Sequence, residues 1–237
     1  RELRAKGWGI ANHSYFHKGK SYGTVPEILT PEEIRADLFW SQALYAAESG
    51  VAQAPTHFVY PNGYLGYADY LKDYGLISGS LVGGKGGIEL NGGKTDLRFL
   101  SRNYLDEGHW TGPWAKGDPM AGFPKGGPKA GDIVIDFTHK MNPDPASPNQ
   151  QRWKERLETI ARNFGGQFWS APAGEIVNYS VAARAAKAQL KPGGLKVTVP
   201  DGLPGTALTV RLEGLPAATQ IPVPTGGALY RKEGTAW

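Results

Sequence analysis

The sequence predicts an α/β fold, with a (β/α) barrel as one form of it, followed by a small all-β module. Short apolar segments alternate with amphipathic, helix-like segments over the first 190 residues, the pattern of parallel strands joined by helical crossovers. From residue 195 onward, apolar residues recur with a period of two between turn signals and show no helical pattern. We therefore place the barrel at residues 1–190 and a β-sandwich-like module at residues 195–237.

The first long helix has a clear beginning. Thr30 is a good N-cap residue, Pro31 suits the first helical position, and Glu33 completes a capping box. We expect the helix to continue to Ser49. Its apolar stripe consists of Ile34, Leu38 and Tyr45.

The following elements are predicted from apolar runs and from the residues that interrupt them. A buried strand at residues 56–60 ends at the turn-forming residues 61–63, and a helix at residues 67–73 ends at Gly75. Further strands are expected at residues 76–82 and 97–102.

The second half of the barrel region contains the most apolar strand, at residues 132–139, which suits a parallel sheet covered on both faces. Ser147 precedes a predicted helix, and a strand at residues 168–169 and a helix at residues 173–189 follow. The apolar stripe of the helix after Ser147 consists of Trp153, Leu157, Ile160 and Phe164.

Composition excludes several classes of function. The chain of 237 residues has no cysteine, which excludes disulfides, thiolate metal sites and cysteine nucleophiles. The net charge of +4 is modest and not concentrated in runs, so we expect no nucleic-acid partner. No apolar run reaches the roughly 20 residues of a membrane span. The chain starts within a helix-like stretch at Arg1, and we expect a segment to precede it.

Two of the five histidines, His13 and His17, lie four residues apart after a strand-like segment. On one helical turn or in a tight loop, such residues point the same way. Two neutral imidazoles on one side can bind a divalent cation. The alternative is that His13 only ends a strand and His17 is solvated.

Three polar features follow predicted strands: residues 12–17, residues 60–63 and His139. Parallel α/β folds assemble their sites at the carboxyl ends of strands, so these features predict one site. His139 is either a residue of that site or a strand-end histidine bonded to the backbone. The context of Asp136 favours a structural hydrogen bond over catalysis. The context of His57 favours a position in the core or just behind the site residues.

The motifs resemble those of the polysaccharide deacetylases of the NodB-homology type, carbohydrate esterase family 4. Residues 12–17, Asn-His-Ser-Tyr-Phe-His, match the family's N-H-[ST]-x-x-H motif. Residues 58–63 resemble its F-x-x-P-x-G turn, and residues 133–139 resemble its final motif, a strand that ends in a catalytic histidine. Residues 169–176 are similar to the segment that closes the domain. The resemblance extends from residue 1 to about residue 188.

The resemblance implies a distorted (β/α) barrel and a divalent metal, usually zinc, held by His13, His17 and an aspartate. The metal would polarise the acetyl carbonyl and activate a water. The backbone N–H of Tyr60 would stabilise the oxyanion, and His139 would be the general acid.

The implied partner is an acetylated polysaccharide or oligosaccharide, and the implied location is secreted, periplasmic or in the cell envelope. The expected substrate contacts are Pro61, Asn62 and Trp110. Trp110, with its neighbour His109, would line a sugar cleft; packing within a loop is the alternative.

The sequence also departs from the family. The motif T-F-D-D-G, which supplies the base and the third metal ligand, occurs nowhere in residues 1–237, and we expect it before Arg1. Val59 replaces the family's arginine and Asn62 its tyrosine. Residues 106–110 are a loose match to the fourth motif.

Three functions remain open on the sequence alone. The first is a metal-dependent deacetylase. The second is a carbohydrate-binding or structural descendant of the fold without catalysis. The third is a barrel glycosidase with paired carboxylates, which the sequence favours least because no Asp/Glu pair falls at two strand ends. An Asp-Asp pair upstream would favour the deacetylase.

Overall fold

The computed structural model describes residues 6, 8–49, 54–82, 91–106, 112–123, 127–129, 131–139, 144, 146–165, 168–191, 194–200 and 208. These residues contain a curled parallel sheet of four strands, which forms a half-barrel, and a small antiparallel sheet of two strands. The predicted α/β class is therefore confirmed. The chain divides into two compact units, Arg1–Val177 and Asn178–Trp237.

The four-stranded sheet lies in the first unit and has the order β1-β2-β3-β4. Its strands are all parallel, so their carboxyl ends meet at one edge. The bounds are β1, His57–Val59; β2, Ser78–Val82; β3, Leu100–Tyr104; and β4, Asp136–Phe137. Asn12 extends the sheet beside β1, because its N–H donates to His57 O (2.9 Å) and its carbonyl accepts from Val59 N (2.7 Å).

The two faces of this sheet differ in chemistry. Side chains alternate between the faces of a strand, and Phe58 lies on the face that packs into the main hydrophobic core. That core consists of Leu29, Ile34, Leu38, Phe58, Tyr60, Tyr64, Tyr67, Ala68, Leu71 and Leu76. The register places His57, Ser78, Ser80 and Arg102 on the opposite face. We call this polar side the inner face.

The helix α1, Pro31–Ser49, begins as predicted. Thr30 N donates to Glu33 Oε2 (2.8 Å) and Glu33 N donates to Thr30 Oγ1 (3.3 Å), which is a complete capping box. Ile34 and Leu38 of the predicted stripe are buried. Burial of this stripe holds α1 against the outer face of the sheet.

The predicted helix at residues 67–73 is wrong in type. Three short 3₁₀ turns occupy this region: Pro61–Gly63, Leu65–Tyr67 and Leu71–Tyr74. The buried side chains Pro61, Tyr64 and Tyr67 recur every three residues, which is the period of a 3₁₀ helix and not of an α-helix. Gly75 ends the region in the left-handed conformation (φ 72°), as predicted.

The strand predicted at residues 132–139 is much shorter and less buried than expected. Only Asp136–Phe137 pairs in the parallel sheet, and both residues are half-buried. Ile133 instead forms an antiparallel bridge with Asn91. Within the described residues, β4 lies at the edge of its sheet. The long apolar run therefore does not form the central strand that it predicts. The predicted strand at residues 168–169 is absent, since both residues lack regular structure.

Two further helices follow a four-residue helix, Gly112–Ala115, which we call α2. The helix α3, Pro148–Phe164, is confirmed in position, and Trp153, Ile160 and Phe164 of its predicted apolar stripe are half-buried. Leu157 is 58% exposed, whereas Arg156 is fully buried. The helix α4, Ala173–Ala185, ends earlier than predicted.

The strands β5, Lys187–Lys191, and β6, Gly194–Thr198, form an antiparallel pair in the second unit. Residues 187–189, predicted to be helical, are therefore in a strand. The predicted boundary between residues 190 and 195 falls inside this hairpin. Apart from residue 208, the predicted module beyond residue 200 lies outside the described residues.

A membrane-spanning helix would need about 20 apolar residues. None of the helices in the described part of the chain is long and apolar enough to cross a membrane.

Candidate active site

Asn12 anchors the loop that carries both histidines. Its side chain is fully buried and donates from Nδ2 to Ser41 Oγ (2.8 Å) and Gln42 Oε1 (3.0 Å) of α1. Its Oδ1 accepts from the backbone N–H of Ser14 (2.8 Å). The Asn12 amide therefore ties the start of the loop to α1 and to the backbone of Ser14.

The loop contains two left-handed residues that are not glycine, Ser14 (φ 66°) and His17 (φ 54°). Such conformations cost about 1–3 kcal/mol each and persist only where the surroundings determine them. Here the Ser14 hydroxyl accepts from His17 N (2.8 Å), which closes a tight turn. This turn brings His17 back towards His13.

Asp37 of α1 supplies the remaining constraint. The carboxylate is buried, and its Oδ1 accepts from the backbone N–H groups of Tyr15 (2.5 Å) and Phe16 (2.9 Å). Its Oδ2 accepts from the Tyr67 hydroxyl (2.5 Å). This role of Asp37 cannot be recognised from sequence patterns, because Asp37 lies 21 and 22 residues from the amides that it binds.

His13 has the geometry of a metal-binding histidine. Its Nδ1 lies 2.7 Å from the carbonyl oxygen of Val59, and since a carbonyl only accepts, Nδ1 carries the proton. Nε2 is then the lone-pair nitrogen, the arrangement found in most metal-binding histidines. The rings of His13 and His17 lie edge to face, with centroids 4.8 Å apart.

Burial lowers the pKa of His13 below its usual value, and the hydrogen bond to Val59 offsets part of that effect. The charges of His17, Arg102 and His139 lower this pKa further. His13 is therefore neutral at pH 7, as a metal ligand must be. Both histidines fit a metal in donor type, and His13 also in the nitrogen that it leaves free to bind one. Within the described residues, however, no group of three potential metal ligands is found.

Tyr60 ends the strand β1 and is fully buried. Its hydroxyl donates to Arg98 O (2.8 Å). Its backbone N–H, which the resemblance assigns to the oxyanion, donates to Ser80 O (2.9 Å). An oxyanion could use this donor only in place of Ser80, so the role of Tyr60 stays a prediction.

The predicted substrate contacts differ in accessibility. Pro61 is buried, whereas Asn62 is exposed and left-handed (φ 50°). Asn62 Nδ2 donates to Gly19 O (3.2 Å), and its Oδ1 accepts from the Tyr22 hydroxyl (3.4 Å). Trp110 and His109 lie outside the described residues.

His139 follows β4, and its exposed ring is held at one nitrogen. Nδ1 forms a hydrogen bond with the Tyr104 hydroxyl (2.8 Å) and lies 3.6 Å from Asp106 Oδ2. Asp106 is buried and accepts from the backbone N–H of His139 (2.9 Å) and from the Thr138 hydroxyl. These contacts leave Nε2 of His139 as the nitrogen that can meet a substrate.

Sequence patterns do not single out Asp106 or Tyr104 as site residues. Asp106 belongs to the loosely matching residues 106–110, and the only signal was its position just after β3. Burial raises the pKa of Tyr104, with a further contribution from Asp106. The Tyr104 hydroxyl therefore stays protonated and can take part in the hydrogen bond to His139.

Asp136 and His57 are structural in this fold, as their sequence contexts favoured. Asp136 binds the guanidinium of Arg156 (Nε–Oδ2 2.6 Å) and the Asn103 amide (2.8 Å). His57 is buried between the Ser78 and Ser80 hydroxyls, at 2.7 and 2.9 Å. Burial, with a smaller contribution from the Arg102 charge, lowers the pKa of His57 to about 4.

The described residues thus place the histidine loop, the turn after β1 and His139 at the carboxyl-end edge of one parallel sheet. Comparison with known proteins adds no relative: no family model, no curated protein and no solved structure matches this chain.

Proposed function

We propose that this chain belongs to a metal-dependent hydrolase that removes acetyl groups from N-acetylated or O-acetylated polysaccharides or oligosaccharides, on a distorted barrel of the NodB-homology type. The observation that carries the proposal is the pair His13 and His17. Their rings lie 4.8 Å apart, and the Val59 carbonyl directs the lone pair of His13 to Nε2.

The two histidines would hold the metal, most simply zinc, together with ligands from outside the described residues. When bound, the metal supplies Lewis acidity towards the acetyl carbonyl and lowers the pKa of a bound water. In the proposed reaction, His139 donates a proton to the departing sugar nitrogen or oxygen. Tyr104 and Asp106 orient His139 by holding its Nδ1 side and its backbone.

A carbohydrate substrate is supported by exposed aromatic side chains on the histidine loop and after it. Tyr15 and Phe16 are 52% and 51% exposed, and Tyr22, which contacts Asn62, is 58% exposed. Aromatic rings with open faces suit stacking on the apolar faces of sugars. The same loop would then offer both metal ligands and sugar contacts.

The test measures bound metal and released acetate in the protein and its variants. We expect zinc binding and acetate release from an acetylated chito-oligosaccharide or an acetylated xylan. His13→Ala/His17→Ala should lose both. His139→Ala should keep the metal and lose acetate release by about 100-fold or more, the usual contribution of a general acid.

Two results would count against the proposal. A parent protein that binds no divalent metal would remove its basis. Undiminished acetate release by the double variant would show that the histidine pair is not the reaction site.

The second candidate is a carbohydrate-binding or structural protein of the same fold without catalysis. It is favoured by the Tyr60 N–H, which is already paired with Ser80. It is also favoured by the histidine pair, which has no third potential ligand beside it among the described residues. Glycan binding without acetate release, in the metal-loaded protein, would select this alternative.

A further inference from the structure

Arg102 is a cation in the middle of the polar inner face. It lies on β3, where it pairs in register with Val82, and its side chain points to the same face as His57 and Ser80. Its guanidinium carbon lies 4.1 Å from the centre of the Phe137 ring. Phe137 in turn contacts His139, with ring centroids 5.4 Å apart. Arg102 therefore lies between the buried His57 and the residues that hold His139.

This guanidinium has no counter-ion among the described residues. Arg102 is only 9% exposed, and its Nε has no hydrogen-bond partner there. Burial lowers the pKa of Arg102 to about 10, so it remains charged at pH 7. A buried charge is costly unless it is paired, and the face of Phe137 offers only a weak substitute.

The nearest functional groups do not neutralise the charge of Arg102. The charge of Arg102 acts unfavourably on the protonated forms of both His13 and His57. Asp106, the buried acid nearest in sequence, is bound to Thr138 and His139. Arg156 provides a contrast, because its buried guanidinium is fully paired with Asp136 and two carbonyl oxygens.

We propose that Arg102 binds the carboxylate of a small-molecule ligand on the inner face, beside the histidine site. The planar guanidinium can hold a carboxylate by two parallel hydrogen bonds, which is the strongest pairing that an arginine makes. Two sources share this chemistry: acetate, as the product of deacetylation, and a uronate group of the glycan. The inference rests on the proposed function for the choice of these two ligands.

The experiment titrates the full chain, freed of metal on a chelating resin, with sodium acetate and with sodium glucuronate at pH 7. The imidazole resonances of His57 and His139 report binding near Arg102. We expect a saturable shift of these resonances with at least one ligand. Arg102→Gln should weaken that binding about 10-fold or more, because a charge-assisted pair is lost.

Three comparisons separate this effect from general disturbance. Arg102→Lys should keep part of the affinity, since it retains the charge without the planar fork. Arg98→Gln removes an exposed arginine paired with Asp96 and should bind as the parent does. Acetamide, a neutral analogue of acetate, should not bind. Circular dichroism checks that each variant is folded.

The outcomes decide the inference. Binding of acetate alone identifies a product site, and binding of glucuronate identifies a site for an acidic sugar. Absence of saturable binding of both ligands, or equal affinity in Arg102→Gln, would overturn it. Because no metal or turnover is involved, such a failure is distinct from failure of the proposed deacetylase activity.

Discussion

Asp37 is the residue on which the shape of the histidine loop depends most. Its carboxylate accepts hydrogen bonds from two backbone amides of the loop and from the Tyr67 hydroxyl. These bonds offset the conformational cost of the left-handed backbone at Ser14 and His17. The sequence predicts α1 from its capping residues and its apolar stripe. It does not distinguish an acidic residue that faces solvent from one that faces a distant loop, because helical periodicity describes the element and not its neighbours.

Asp37→Asn should weaken metal binding by about 10-fold, the lower end of the range for residues that position metal ligands. The neutral amide accepts weaker hydrogen bonds from Tyr15 and Phe16 and leaves the loop less fixed. Isothermal titration with zinc measures the change. Asp69→Asn, at an exposed position, is the matched control and should bind zinc as the parent does; a similar loss in both variants would contradict the role of Asp37.

At the scale of elements, the helix α3 is attached to the sheet through a buried charged residue as well as through its apolar stripe. Arg156 is fully buried and binds Asp136 of β4, the carbonyl oxygens of Pro119 and Ala121, and the rings of Trp114 and Phe123. Hydrophobic periodicity placed Leu157 inside, one position away. An arginine that is buried because each of its three nitrogens is hydrogen-bonded cannot be recognised from its own sequence, since its hydrogen-bond partners lie 20 to 37 residues away.

Arg156→Met should destabilise the protein by about 3 kcal/mol or more, because removal of one partner leaves the Asp136 carboxylate buried without its cation. Lys154→Met, which breaks an exposed pair with Glu158 on the same helix, should change stability by less than about 1 kcal/mol. Urea unfolding measures both. Equal stability of the two variants would show that the buried pair does not anchor α3.

The contrast between local sequence signals and tertiary contacts explains how much of the architecture the sequence predicts. Capping residues and apolar periodicity are local signals, and they predict α1, β1 and the position of α3 well. The short β4 and the hairpin of β5 and β6 depend on which strands find partners. The apolar run at residues 132–139 therefore misleads, as does the end of the helical pattern, at residues 187–189. Of the site, His13 and His17 are visible as a motif, whereas Asp37, Arg102 and Asp106 depend on tertiary contacts.

At the scale of the whole molecule, the polar inner face makes stability depend on pH. His57 is buried and neutral, with a pKa of about 4 against 6.5 in the unfolded chain. Protonation of His57 is therefore less favourable in the folded state than in the unfolded state. The contribution of His57 to stability is complete above pH 6.5 and is lost progressively as the pH falls towards 4.

We expect His57 to account for about 3 kcal/mol of the stability lost between pH 7 and pH 4. His57→Gln removes the titrating group, so its free energy of unfolding should fall less over this range, whatever its value at pH 7. Urea unfolding at a series of pH values tests this. Leu157→Gln, at an exposed position of α3, neither adds nor removes a titrating group and should keep the slope of the parent; a slope in His57→Gln equal to the parent's would refute the assignment.

The anchoring of the histidine loop by Asn12 and Asp37 has a kinetic consequence. These side chains hold the loop through protein contacts alone, so the two proposed metal ligands would be positioned before any ion arrives. Arrival and departure of an ion then require no refolding of the loop. We expect a metal at this site to exchange rapidly and reversibly with a chelator, at a rate set by breaking of the ligand bonds and independent of the rate of global unfolding.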